Sequence, residues 1–173
     1  LLSLGEALRY LGRFLEAKRT LVQAKAEALA SGDYRALGYT LLNLADLYRE
    51  ARLPEAESLY REAEASLERA QDPYALGLVH LGLAQLGAKG SLERARAFFQ
   101  EGGSPGEMAE WYLVAGRLCG RPEHFQEALR LAEEVGAGRL ILLARLELFF
   151  RNPSPKEAKA LAQEVLRSGF QGF

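Results

Sequence analysis

Five times along this chain of 173 residues, a charged residue is followed directly by an alanine at the head of a polar amphipathic segment: Glu16-Ala17, Glu55-Ala56, Arg94-Ala95, Glu127-Ala128 and Glu157-Ala158. The anchors lie 39, 39, 33 and 30 residues apart. A period in this range marks a solenoid: each unit is one supersecondary element that buries its apolar face only by stacking on the next. Apolar residues recur at spacings of three and four, so the units are helical. The expectation is an all-α fold of about five antiparallel helix hairpins.

The punctuation divides the chain into ten helices: 2–12 with 14–31, 33–51 with 53–70, 73–87 with 91–101, 105–119 with 122–135, and 138–150 with 155–168. Ser104-Pro105-Gly106-Glu107 and Ser154-Pro155-Lys156-Glu157 have the form of capping boxes with proline at the first helical position. Asp72-Pro73 is a similar start, and Gly32, Gly90 and Gly136 stand where helices should end. The two helices of a unit differ in character. Tyr74 to Leu86 is apolar nearly all round and needs neighbours on several sides, whereas Glu55 to Leu67 carries one narrow apolar stripe and belongs on an outer surface. One domain spanning 1–173 is expected, with a kink or joint at the glycine cluster 102–106, where the spacing also shortens.

The composition excludes several classes of function. A net charge of −1 and a pI of about 6.2 give no basic excess for direct nucleic-acid contact. No run is apolar enough for a membrane span; Leu140 to Phe150 is broken by Arg145 and Glu147. The single cysteine, Cys119, fits a reducing compartment, and a cytoplasmic location is expected. The chain opens on Leu1-Leu2 with its only methionine at Met108, which reads as a piece of a larger protein. Scarce Asn, Cys and Met suit a thermophile.

Catalytic machinery is sparse. His80 lies in the most apolar helix and reads as a packed core histidine. Cys119 and His124 are two ligands at most, too few to close a tetrahedral zinc site. Cys119 itself falls on a packing position and is expected to be a buried, inert thiol. Gly87-Ala-Lys-Gly-Ser91 lacks both the spacing and the preceding strand of a phosphate loop. The expectation is a protein that is not an enzyme, with no catalytic residues, no cofactor and no metal.

The first unit resembles a tetratricopeptide repeat. Leu4-Gly5, Leu8, Gly12, Phe14, Ala17, Leu21 and Ala24 follow that family's order of small and large residues. Gly5 and Ala17 would let the two helices approach closely, with Leu8 and Leu21 filling the space beside them. The order returns as Leu44-Ala45, Tyr48, Ala56, Tyr60 and Ala63, and as Ala115-Gly116, Cys119, Phe125, Ala128 and Ala132. It is weaker in Leu83-Ala84, Ala95, Phe99 and in Leu143-Ala144, Ala158, Ala162. The resemblance implies a right-handed superhelical solenoid, whose concave surface is lined by the first helix of each unit and binds a protein or peptide.

On that register the groove is lined by Glu6 and Arg9 in the first unit, and by Tyr39, Leu42, Asn43, Asp46 and Arg49 in the second. Leu81 and Gln85 follow in the third, and Glu110, Leu113 and Arg117 in the fourth. The mixture suits a protein, a peptide or a small effector. Chaperone-binding members of the family clamp a terminal carboxylate, but only Asn43 matches that clamp here. Leu2 and Glu6 stand at the corresponding first-unit positions, and Glu6 would repel a carboxylate.

The units of 39 residues with a small-Gly-Asp junction, Ser31-Gly32-Asp33, are longer than the family's usual period. They resemble the helical repeats of MalT-like and antibiotic-regulatory-protein bacterial transcription activators. That resemblance implies the regulatory or sensor region of such an activator. The alternative is a stand-alone adaptor or assembly scaffold, docking through its groove or through Phe170 and Phe173, with homo-oligomers as one form.

Overall fold

The computed structural model describes residues 1–168, and Phe170 and Phe173 lie outside the described residues. Those residues form ten α-helices and no strand: α1 (Leu2–Tyr10), α2 (Phe14–Ser31), α3 (Tyr34–Glu50), α4 (Ala56–Ala70), α5 (Pro73–Gln85), α6 (Ser91–Gly102), α7 (Pro105–Cys119), α8 (Pro122–Val135), α9 (Gly138–Arg151) and α10 (Pro155–Ser168). None is long and apolar enough to cross a membrane. The chain divides into two compact units, one ending at Gly102 and the next beginning at Gly103.

The helix ends follow from side chains that offer the backbone a partner. Asp33 and Asp72 accept the N–H groups of Ala36 (2.9 Å) and Ala75 (3.1 Å) at the starts of α3 and α5. Ser104 accepts the N–H of Gly106 while Glu107 reaches back to the N–H of Ser104 at 2.6 Å, a capping box. Ser154 accepts from the N–H of Glu157 at 3.2 Å. Gly32 and Gly136 close α2 and α8 in the left-handed region. Gly90 is a correction: it stands just before Ser91, the first residue of α6, and Gly87 provides the left-handed turn after α5. The start of α4 is a second correction, at Ala56 instead of residue 53. Arg52 turns left-handed (φ 56°) after α3, and the N–H of Leu53 bonds back to Tyr48 O at 2.8 Å, so these residues form a connection.

In the first unit each helix packs on its sequence neighbours, and α3 also touches α1 and α5. Leu8, Ala17, Leu21, Leu44 and Leu47 form one core cluster. Leu41, Tyr60, Ala63, Leu67, Val79 and Leu83 belong to another. In the second unit α7 packs on α8 and α9, and α9 packs on α8 and α10. Phe125 and Ala128 there pack with Leu113, Leu143 and Ala144.

Four glycines on odd-numbered helices each hold a large side chain of the next helix. A Cβ would stand 2.6 Å from Leu21 at Gly5, 2.5 Å from Leu67 at Gly38, 2.5 Å from Phe99 at Gly77 and 2.7 Å from Phe125 at Gly116. The small residues therefore act as sockets, and Leu21 sits on Gly5 directly. The alanine anchors Ala17, Ala56, Ala95 and Ala128 are all buried, but Ala158 is only half-buried and Ala162 is exposed. Leu161 is the one fully buried residue of α10, which packs on α9 alone among the described helices.

Candidate functional site

The expected groove residues of the first unit separate into three groups. Leu42, Asn43 and Leu81 are buried, each less than a tenth exposed, and offer no surface to a partner. This corrects the expectation at those positions: α3 and α5 are covered on more than one side, so the face drawn as open is partly closed. Asn43 spends its amide on Tyr39 O at 3.0 Å, one turn back in its own helix. Tyr39 is half-buried, and its hydroxyl donates to Asp72 at 3.4 Å, with Arg35 on the same carboxylate at 3.3 Å. Burial, reinforced by the Asp72 charge, pushes the Tyr39 phenol above its ordinary value.

The third group comes together. Arg9 on α1, Asp46 and Arg49 on α3, and Gln85 on α5 form one polar ladder across three helices, and Arg9 is a further correction because it is buried like Asn43 and lines no open groove. Arg9 donates through Nη1 to Glu50 at 2.6 Å and lies 3.8 Å from Asp46. Arg49 donates through Nε to the Tyr60 hydroxyl at 2.9 Å, through Nη1 to Gln85 at 3.0 Å, and through Nη2 to Asp46 at 3.3 Å. Tyr60 donates its own hydroxyl hydrogen to Asp46. Glu6, half-buried on α1, carries no part of the ladder.

The electrostatics follow from the geometry. Burial opposes the positive charge of Arg9, but Asp46 and Glu50 outweigh it and the guanidinium titrates above its ordinary value. Arg49 shifts the same way: burial opposes its charge, and Tyr60, Asp46 and Glu50 overcome it. Tyr60 is pushed far up by burial first and by the Asp46 carboxylate second, so it stays a neutral phenol that can donate. The side chain of Glu50 remains 43% exposed and that of Asp46 22% exposed, so the ladder presents an acidic outer edge. Its carboxylates are already engaged by arginine.

Glu50 and Tyr60 escaped the sequence reading. Glu50 directly follows Arg49 and shares a helix face with Asp46, and a tyrosine buried on a mostly polar helix needs a hydroxyl partner. Both signals were present.

In the second unit Leu113 is buried, a correction like that of Leu42, and Glu110 is half-buried on α7. Arg117 donates through Nε to Glu147 at 2.5 Å. Arg151 holds the other oxygen of Glu147 at 3.0 Å and lies 4.2 Å above the ring of Phe125. Cys119 corrects another expectation. It is exposed, because it is the last residue of α7 and Gly120 turns left-handed directly after it.

His80 is buried, 3% exposed, and its ring stacks on Phe98 with centroids 5.7 Å apart. Its Nε2 lies 3.2 Å from Glu64, while Nδ1 is buried with no hydrogen-bond partner. Burial pulls the imidazole below its ordinary value; Arg94 and Arg61 add to this and Glu64 opposes it. Among the described residues, no three His, Cys, Asp or Glu side chains cluster so as to hold a metal ion.

Comparison with protein-family profiles, curated proteins and solved structures finds no match to this chain.

Proposed function

We propose that this chain is a non-catalytic binding module: a tetratricopeptide-like, right-handed solenoid of antiparallel hairpins. It takes a protein, peptide or small effector on the face shared by α1, α3 and α5. The observation that carries this reading is the Arg9–Glu50/Asp46–Arg49–Gln85 ladder. It ties side chains 41 and 36 residues apart, close to the sequence period, and leaves Glu50, Asp46 and Arg49 partly accessible along one face. A rigid, pre-paired row of charges is a recognition surface that needs little reordering when a ligand binds.

The 39-residue units support a place for the module as the regulatory or sensor region of a cytoplasmic bacterial transcription activator. Binding would alter its packing against a DNA-binding or nucleotide-binding domain elsewhere in the same protein.

The experiment places a photo-crosslinking amino acid at Gln85, and in a control at Glu57 on α4, in the native host. A discrete adduct from position 85 alone supports binding on this face; equal capture from both positions overturns it. Top-down mass spectrometry of the intact native protein tests the regulator reading separately. A chain without any DNA-binding or nucleotide-binding domain would end that reading and leave an adaptor.

A further inference from the structure

The first unit carries a second surface that the ladder does not use. Helix α2 buries Ala17, Leu21, Ala24 and Ala28 on one face, yet on the opposite face Leu15, Val22 and Leu29 stand 76%, 51% and 57% exposed. They are seven residues apart, so they form a single stripe about 21 Å long at the rise of an α-helix. One apolar stripe anchors a helix to its core; a second one facing outward is unpartnered surface.

Beside the stripe lies a cleft of about 450 Å³ between α2, α3 and α4. Leu29, Tyr34, Leu37 and Leu41 give it apolar walls, and Lys25, Glu62 and Arg69 stand on its rim. Lys25 is paired with Glu62 at 3.0 Å. Arg69 is held against Tyr34 instead, donating to its hydroxyl at 3.2 Å with the guanidinium 5.1 Å from the ring centre. Arg19 is exposed along the far side of the stripe. Among the described residues, neither Arg19 nor Arg69 has a carboxylate within ion-pair distance.

The acids of α4 other than Glu62 do not line the cleft: Glu57 lies against Arg61, Glu64 against Arg61 and His80, and Glu68 acts on His80. The stripe is therefore edged by cations with unused capacity, and the cleft has room for a large apolar side chain.

We infer that this surface docks an amphipathic helix of a partner protein, with an apolar stripe flanked by carboxylates. Its leucine-type residues pack along Leu15, Val22 and Leu29, one of them entering the cleft, and its carboxylates meet Arg19 and Arg69. The match of a 21 Å stripe calls for a partner helix of about four turns. An anionic lipid surface fits less well, because it is flat where the cleft is concave and, unlike a helix, cannot keep its charge away from Glu62 on the rim.

The test titrates the ¹⁵N-labelled chain with two synthetic peptides of about 18 residues that share one leucine stripe and differ in its flanks. One carries glutamate there and the other lysine. Phosphatidylglycerol vesicles are titrated separately. The glutamate peptide should give saturable shifts in α2 and at Leu37, Leu41, Ala65 and Ser66, and the lysine peptide should bind roughly tenfold more weakly. Arg19→Glu combined with Arg69→Glu should weaken the glutamate peptide roughly tenfold while the chain keeps its helical circular dichroism, and Leu29→Asp should weaken both peptides.

Equal response to both peptides, no saturable shift from either, or affinity unmoved by these substitutions overturns the proposal. So does vesicle binding without peptide binding, which would assign the stripe to lipid. Shifts confined to Arg49 and Gln85 would also overturn it while favouring the ladder face, so the two readings fail separately.

Discussion

Gly82 is the position where a single methyl group does most. A Cβ there would lie 2.3 Å from Cζ of Tyr60 and 2.4 Å from its hydroxyl oxygen. The ring is fully buried and its hydroxyl is fixed between Asp46 and Arg49, so it cannot swing aside as a leucine tip can. Gly82→Ala should therefore cost about 1–3 kcal/mol and disturb the ladder as well as the core. Gly102→Ala, with nothing within 4 Å, is the control and should leave the melting temperature near that of the parent. Equal melting temperatures for the two variants would contradict the socket.

His80 gives a second prediction at the same scale. Its folded-state titration lies below the ordinary value because the ring is buried, and a proton on Nδ1 would have no acceptor. Below the ordinary histidine range the unfolded chain binds a proton that the folded chain resists, so stability is present above about pH 6.5 and is lost as pH falls. Urea midpoints at pH 7.5 and 5.5 should drop more steeply for the parent than for His80→Phe. Parallel drops would remove the argument.

At the scale of the element, helices were legible because their signals are local. Ser104 with Glu107, and Asp72 with Pro73, name a helix start within four residues, and all ten expected helices exist. The start of α4 was not legible, since it depends on Arg52 adopting a left-handed conformation that the sequence assigns to glycine. Helix α10 was legible as a helix but not in its packing: its alanines copy the anchors of earlier units, yet no later helix among the described residues covers Ala162. The packing register is testable on α4. Ala56 is 1% exposed, whereas Ala65 is exposed on the same helix. Ala56→Leu should lose about 1–3 kcal/mol by overpacking, and Ala65→Leu should stay within about 0.5 kcal/mol of the parent. Indistinguishable thermal unfolding would mean that the register is wrong.

Across the whole chain, the candidate site was half legible for a reason of dimension. Arg9, Asp46, Arg49 and Gln85, named from period and helix face, do contact one another through their side chains. The same reasoning could not separate Leu42 and Asn43 from Asp46, since burial depends on the sides from which a helix is covered, and α3 packs on α1, α2, α4 and α5. The ladder lies entirely within the unit that ends at Gly102, and that unit has buried clusters of its own around Leu21 and Tyr60. A fragment of residues 1–102 should therefore remain helical and unfold in one cooperative transition. Tyr60→Phe should lower its midpoint, because Asp46 loses a donor and Arg49 an acceptor within a partly buried network, at about 1–3 kcal/mol. Circular dichroism of the two fragments under urea decides the matter. A non-cooperative fragment would show that α1–α6 do not carry a sufficient core, and a midpoint unmoved by Tyr60→Phe would show that the ladder contributes nothing to holding it.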